Sequence, residues 1–154
     1  MDPGSTKTNP LGWAIIENKK VINTGHISIK AKGDDRLQFI AKEIEKVVNK
    51  YKNIDFYTIE GQFGPNGKSL KTINQVIGVV RYILLLNGIK YYDTYTPGHI
   101  KKVVTGNGRA KKEEIQKYVC EFYNLYELQK DEADALAIAY TGYYHINKKT
   151  KEAG

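Results

Sequence analysis

The chain has 154 residues, 41% of them hydrophobic, which is enough for one folded domain and too apolar for a disordered chain. Its single cysteine excludes an internal disulfide and any multi-cysteine zinc site, and the absence of a long apolar run or secretory signal favours a soluble, cytoplasmic protein without membrane contact. The formal net charge is +7, which is typical of a chain that binds phosphate groups.

Hydrophobic periodicity and turn residues predict nine elements. In chain order they are strand 11–17, strand 21–30, helix 36–51, strand 54–59, helix 69–86, strand 90–95, helix 97–104, helix 110–125 and helix 131–145. Asp34 and Asp35 offer an N-cap for the first helix, and Thr96 with Pro97 opens the third. This order predicts an α/β domain over 1–146, with a mixed central β-sheet flanked by helices, and a charged flexible tail over 147–154.

The predicted helix 69–86 is apolar nearly all round in its second half. A helix with one buried face does not need such a surface, so a second packing surface is implied. Gly78 lies in mid-helix, where glycine costs about 1 kcal/mol against alanine. A subunit partner explains both features; full cover within the chain is the alternative.

Four acidic residues occupy positions from which they could converge. Asp131 and Asp134 lie one turn apart at the start of an alanine-rich helix, so both can face one spot. Glu60 ends a predicted strand, and Asp2 precedes the turn at 3–5. Each has an ordinary alternative as a turn residue, a charged strand end or a helix N-terminal acid. Together they predict a site for hard divalent cations.

Basic residues gather around the glycine loop 106–108. They are Lys101, Lys102, Arg109, Lys111 and Lys112. Charges from two neighbouring elements flank one loop here, which favours a phosphate-binding surface over lysines that are merely solvated. A metal site beside a basic surface suggests phosphodiester chemistry on nucleic acid.

Several segments in this order resemble the RuvC family of Holliday junction resolvases. They are Asp2-Pro3-Gly4-Ser5, Ile59-Glu60 with Phe63, the run 100–108, and the run 131–137. The resemblance implies an RNase H-like fold and a homodimer, which pairs through helix 69–86. It also implies an enzyme of DNA recombination and repair that nicks two opposing strands of a four-way DNA junction, with a branch-migration helicase as a partner.

The resemblance also implies roles for single residues. Asp2, Glu60, Asp131 and Asp134 match the family's metal-binding catalytic carboxylates, which implies two Mg²⁺ ions per site, with Mn²⁺ as a substitute. Lys112 matches a basic residue implicated in catalysis. Phe63 matches an aromatic residue that stacks on a junction base, although it could instead anchor its loop. The expected DNA-contacting residues are Phe63, Lys101, Lys102, Arg109, Lys111 and Lys112.

One feature departs from the family pattern. Relatives carry an apolar strand before the first aspartate, whereas only Met1 precedes Asp2 here. If that strand is missing, the sheet loses a central partner and Asp2 loses its support. That outcome favours a protein of the same fold that binds branched DNA without turnover.

Two further functional hypotheses are alternatives to a junction endonuclease. A different RNase H-like nuclease, acting on flaps or hybrids, would use the same acids. An actin-like or sugar-kinase-like nucleotide binder also uses an Asp-x-Gly-Ser turn, but it needs two such domains, more than 154 residues supply. Among the histidines, we expect His26 to be structural or exposed, and His99, although it lies beside Lys101, is not assigned a phosphate contact. His145 should lie about 15–20 Å from the helical acids and ligate no metal.

Overall fold

The computed structural model describes residues 11–61 and 67–154, without the side chains of 67–70. The elements are β1 (Leu11–Glu17), β2 (Lys20–Ile27), α1 (Gly33–Lys50), β3 (Phe56–Glu60), α2 (Gly67–Leu86), β4 (Lys90–Tyr95), α3 (Pro97–Thr105), α4 (Lys112–Tyr123) and α5 (Lys130–Ala153). All nine predicted elements are present and of the predicted type. The predicted α/β class is therefore confirmed.

The strands form two pairs. β1 and β2 are antiparallel, with Leu11 opposite Ile27, and β3 and β4 are parallel, with Glu60 opposite Tyr95. Both orientations expected of a mixed sheet are present. Within the two described ranges, however, no ladder joins one pair to the other. Helix α5 packs against strands of both pairs.

Alternate side chains of β1 enter two different hydrophobic clusters, because successive strand residues point to opposite faces. Leu11 and Trp13 pack on a cluster with buried residues of α1 and α2, whereas Ala14 and Ile16 pack on a cluster with buried residues of α4 and α5. The strands thus lie between α1 and α2 on one side and α3, α4 and α5 on the other.

Helix α5 approaches both strand pairs closely because glycines and alanines lie at the contacts. A Cβ placed on Gly12 of β1 would overlap the backbone oxygen of Asp131, and one placed on Gly142 would lie 2.5 Å from Thr58 Cγ2 on β3. The Thr58 hydroxyl donates to the Ile138 carbonyl at 3.2 Å. These contacts fix the start of α5 at the edge of β1.

Two predicted helix boundaries are wrong. The last helix, predicted to end near His145, continues to Ala153, so most of the predicted tail is helical. Good helix formers allow this extension, and Lys149 packs over the Tyr92 ring with its Nζ 5.1 Å from the ring centre. At the first helix, Lys32 is the N-cap residue, and Asp34 and Asp35 lie in the first turn. Their charges there favour the helix dipole.

The apolar surface of α2 is not covered within the described part of the chain. Tyr82, Leu85 and Leu86 are 61%, 70% and 64% exposed. Among the described residues outside its own helical turns, no atom lies within 4 Å of a Cβ built on Gly78. The alternative of full intramolecular cover is therefore wrong for these residues. None of the helices in the described ranges combines the length and apolar character needed to cross a membrane.

The contact between Gly142 and Thr58 predicts a stability effect. Gly142→Ala would force the new methyl group against the Thr58 side chain, and we expect a loss of about 1–3 kcal/mol in the free energy of unfolding. Urea denaturation measures this loss.

The matched control is Gly98→Ala in the first turn of α3, where the described atom nearest to the new methyl group is the Gly108 carbonyl oxygen at an ordinary 3.8 Å. Because alanine is the better helix former, this variant should gain up to about 1 kcal/mol. Equal effects of the two substitutions would contradict the close packing of α5 on β3.

Candidate active site

Glu60 is held at the end of a paired strand. The backbone amide of the next residue, Gly61, donates to the Tyr95 carbonyl at 2.8 Å, which extends the pairing of β3 and β4 past the acid. The Glu60 residue is only partly exposed. The strand thus presents a carboxylate in a partly desolvated position.

The helical acids occupy the first two turns of α5. Asp131 lies in the first turn and Asp134 one turn later, and both residues are partly buried. Between them, Glu132 turns toward β2, where its carboxylate accepts from Thr24 Oγ1 at 2.9 Å and lies 3.2 Å from His26 Nδ1. These contacts tie the start of α5 to the first strand pair.

Lys112 lies at the start of α4 among the acids. Its ammonium donates to Asp134 Oδ2 at 3.2 Å. The pKa of Lys112 is raised above its usual value, mainly by the charge of Asp134 and its hydrogen bond, and further by the charges of Glu60 and Asp131. Glu60, Asp131 and Asp134 therefore all interact electrostatically with the Lys112 ammonium.

The acids also act on each other. Burial raises the pKa of Glu60 above its usual value, and the negative charge of Asp134 raises it further. The positive charges of Lys112 and Lys101 partly offset both effects. We call Glu60, Asp131 and Asp134 the acidic cluster; Lys112 and Lys101 lie close enough to interact with it electrostatically.

The donor set of the acidic cluster fits a hard divalent cation. Carboxylate oxygens are the ligands that Mg²⁺ prefers, and a like-charged pair in a desolvated site is stabilised by a bound cation. The described ranges contain no group of three or more His, Cys, Asp or Glu residues placed to hold a metal ion. Asp2, the fourth predicted ligand, lies outside these ranges. Water ligands would complete the coordination, because Mg²⁺ usually retains several.

The predicted DNA-contacting residues flank the acidic cluster on α3, α4 and the loop between them. Lys102, Arg109 and Lys111 are exposed, whereas Lys101 is partly buried. The loop is folded by local bonds: Gly106 has φ +80°, and Asn107 Oδ1 accepts from the Arg109 amide at 3.0 Å. Phe63 lies outside the described residues, so its stacking role stays a prediction.

Sequence reasoning missed two side-chain contacts. One is the bond of Glu132 to Thr24, for which the alternation of polar residues in β2 was the available signal. The other joins His99 of α3 to His145 of α5, with their Nε2 atoms 2.8 Å apart. No spacing rule relates two residues on different elements in this way. The structure pairs Lys112 with Asp134 and places Glu60 and Asp131 close enough to interact with Lys112 electrostatically, but the roles of all four stay predictions.

The raised pKa of Glu60 predicts a pH dependence of stability in the metal-free protein. A carboxyl group whose pKa is higher in the folded state binds more protons there, so stability falls as pH rises from the usual value of 4.5 through the folded pKa. Glu60→Gln removes the unfavourable ionisation of this partly buried carboxyl group. The thermal midpoint of the variant at pH 7 should therefore exceed that of the wild type.

Thermal unfolding in EDTA at pH 4.5 and 7 measures the effect, with Glu45→Gln on the exposed face of α1 as the matched control. The advantage of Glu60→Gln should shrink at the lower pH. An advantage of the same size at both pH values would contradict the assignment.

The family model and the similar proteins that match this chain all carry the same family description. The family model described as crossover junction endodeoxyribonuclease RuvC matches residues 1–142. A relative of that name from Halothermothrix orenii is 37% identical over 163 residues, covering 97% of this chain and 94% of its own length. Another, from Caldicellulosiruptor saccharolyticus, is 38% identical and covers 90% of this chain and 87% of its own length.

The fold also has a solved counterpart. The structure of Thermus thermophilus RuvC in complex with a Holliday junction substrate superimposes with a TM-score of 0.74 at 24% identity, covering 88% of this chain and 87% of that one. The architecture is therefore that of RuvC, and the expected RNase H-like fold is confirmed. On the strength of the family model and these relatives, the chain belongs to the RuvC family of crossover junction endodeoxyribonucleases.

Proposed function

We propose that the chain is a structure-selective endonuclease that nicks opposing strands of four-way DNA junctions. Its family and its curated relatives are crossover junction endodeoxyribonucleases. The solved Thermus thermophilus relative is described in complex with a Holliday junction substrate. We infer a cytoplasmic location and a branch-migration helicase as a partner from the family alone.

The observation that carries the proposal is the ion pair of Lys112 with Asp134, 3.2 Å apart, whose ammonium also interacts with the charges of Glu60 and Asp131. Glu60, Asp131 and Asp134 each raise the pKa of that lysine. Such a group attracts cations, and with Asp2 it would hold two Mg²⁺ ions, or Mn²⁺ in their place. When bound, these ions would stabilise negative charge on the scissile phosphate and make a water molecule more acidic.

The residues of this chain perform the remaining tasks. Lys112 has a side chain that is 67% exposed, so its ammonium can exchange Asp134 for a phosphate oxygen. Lys101, close enough to lower the pKa of Glu60, adds a second positive charge beside the phosphate. Positive charges placed before reaction stabilise the charge that develops in the transition state. Hydrolysis with departure of the 3′ oxygen leaves 5′-phosphate and 3′-hydroxyl ends, which a ligase can rejoin.

The basic residues near the acidic cluster would hold the DNA backbone. Lys102, Arg109 and Lys111 are exposed and would contact phosphates. Phe63 would stack on an unpaired base, a contact worth about 1–3 kcal/mol. Because phosphate contacts release counterions, junction affinity should fall steeply as salt concentration rises.

Glu60→Gln tests the catalytic part of the proposal. The amide keeps the shape of the side chain and loses the charge that would hold the metal. We expect the single-turnover nicking rate on a synthetic four-way junction to fall at least about 100-fold, with junction affinity nearly unchanged.

The control is again Glu45→Gln, the same chemical change on an exposed face of α1. It should nick at the wild-type rate. Full activity of Glu60→Gln would rule out the carboxylate assignment. Tight junction binding by the wild type without any nicking would instead support a binding protein of the same fold.

Paired nicks require two active sites, and the uncovered face of α2 supports a homodimer. Tyr82, Leu85 and Leu86 are exposed there. A largely apolar groove between α1 and α2 adjoins them, and its lining also includes two glutamines: Leu37, Gln38, Ala41, Gln75, Gly78, Val79, Tyr82 and Ile83. A second copy of α2 would cover these side chains, and two active sites could then act on opposing strands.

Leu85→Glu should convert the dimer to a monomer. The side chain is 70% exposed in the single chain, so the substitution leaves folding intact and places a charge in the proposed interface. Sedimentation velocity at micromolar concentration measures the outcome, and nicks in the variant should no longer be paired.

Tyr126→Glu is the matched control, because Tyr126 is a fully exposed aromatic residue outside α2. It should remain dimeric. A wild type that sediments as a monomer, or a dimeric Leu85→Glu variant, would refute pairing through α2.

A further inference from the structure

Two histidines from different helices share a hydrogen bond about three turns, or about 16 Å, along α5 from Asp134. His99 of α3 and His145 of α5 place their Nε2 atoms 2.8 Å apart. Their ring planes differ by 21°, and the ring centres are 5.0 Å apart. Tyr95 stacks on both rings, with centre distances of 5.5 Å to His99 and 5.2 Å to His145. The bond therefore lies under an aromatic ring that is itself buried.

The geometry of the pair is that of a hydrogen bond rather than a metal site. The 5.0 Å between the ring centres nearly equals the nitrogen–nitrogen distance of 2.8 Å plus one ring radius on each side, so the two nitrogens face each other nearly in line. Two imidazoles that share a metal direct their lone pairs at a third point, about 2.0–2.1 Å from each nitrogen. Here the lone pair of one ring points at the N–H of the other.

We propose that His99 and His145 are positioning residues whose hydrogen bond holds α3 against α5 and so sets the place of Lys101 beside the acidic cluster. This inference rests on the proposed nuclease function, in which Lys101 acts at the phosphate. Neither imidazole touches the reacting atoms. Their effect passes through the placement of α3.

The pair joins the elements that carry the charged groups of the site. Lys101 follows His99 by two residues on α3, and its charge lowers the pKa of Glu60. The helix that carries His145 also carries Asp131 and Asp134. Tyr95, which covers the pair, lies opposite Glu60 in the ladder of β3 and β4. Movement of α3 away from α5 would thus separate Lys101 from the acids.

The hydrogen bond tolerates one extra proton but not two. With both rings neutral, one Nε2–H donates to the other nitrogen, and with one ring charged the same bond becomes charge-assisted. With both charged, each Nε2 carries a hydrogen and no acceptor remains. Acidification therefore opens the contact when the second proton binds.

The surroundings of His145 oppose its protonation on balance. Burial lowers its pKa most, followed by the positive charges of His99 on α3 and of Lys148 and Lys149 on its own helix. Asp93 on β4 acts in the opposite direction. Doubly charged rings are therefore disfavoured near neutral pH, and the bond persists there.

Two substitutions at position 99 separate the hydrogen bond from the ring packing. His99→Phe keeps a ring under Tyr95 but removes the bond, whereas His99→Gln supplies an amide that can bond His145 and does not titrate. We expect the single-turnover nicking rate of His99→Phe to fall about 10-fold with unchanged junction affinity. His99→Gln should recover most of the rate.

The pH dependence provides a readout that a purely structural role would not change. The ratio of the wild-type rate to the His99→Gln rate should stay constant near neutral pH and fall as the pH drops below 6.5, because the pKa of His145 lies below that usual value and only the wild-type contact opens on double protonation. Nicking of His99→Phe at the wild-type rate, or a ratio that does not vary with pH, would overturn the positioning role and leave the nuclease function intact.

A measurement without DNA or metal keeps the inference testable if nicking fails altogether. NMR of the wild-type protein with ¹⁵N-labelled histidine should show a scalar coupling between the two Nε2 atoms across the bond. His99→Phe should raise the pKa of His145 and speed amide exchange in α3. Absence of the coupling, or unchanged exchange in α3, would refute the pair even where the protein is active.

Discussion

The close approach of α5 to two separate strand pairs is the constraint on which the site depends. Gly12 lets the start of the helix meet β1, and Gly142 lets its middle meet Thr58 of β3. The helix thus contacts both pairs, which no ladder joins within the described residues. The carboxylates of α5 lie close to Glu60 at the end of β3 because glycine, which has no side chain, occupies both contact positions.

The arrangement carries an electrostatic cost that a cation would relieve. Burial and the charge of Asp134 both act against the ionised form of Glu60, and Lys112 neutralises only part of the group. An uncharged residue in place of one of these acids would remove this cost and stabilise the metal-free fold. Function and stability therefore oppose each other at Glu60, as is common where active sites concentrate like charges.

Much of the site could be predicted because it depends on local patterns. Helical spacing placed Asp131 and Asp134 on one face, and the end of an apolar run placed Glu60 at a strand end. The end of α5 could not be predicted from apolar periodicity, because its last turns are exposed and held by helix propensity and by Lys149 on Tyr92. The pairing of His99 with His145 depends on the angle at which α3 meets α5. Tertiary packing sets that angle, and no single stretch of sequence encodes it.

The most direct test of the account is whether the acids bind one divalent metal together. Titration of ¹⁵N-labelled protein with Mn²⁺ would broaden the amide signals of residues near the bound ion. The account predicts that the signals of Glu60, Asp131 and Asp134 broaden together at substoichiometric Mn²⁺ and recover when Mg²⁺ is added. Broadening confined to Glu60 alone or to Asp131 and Asp134 alone, or spread over acidic residues elsewhere, would contradict this account.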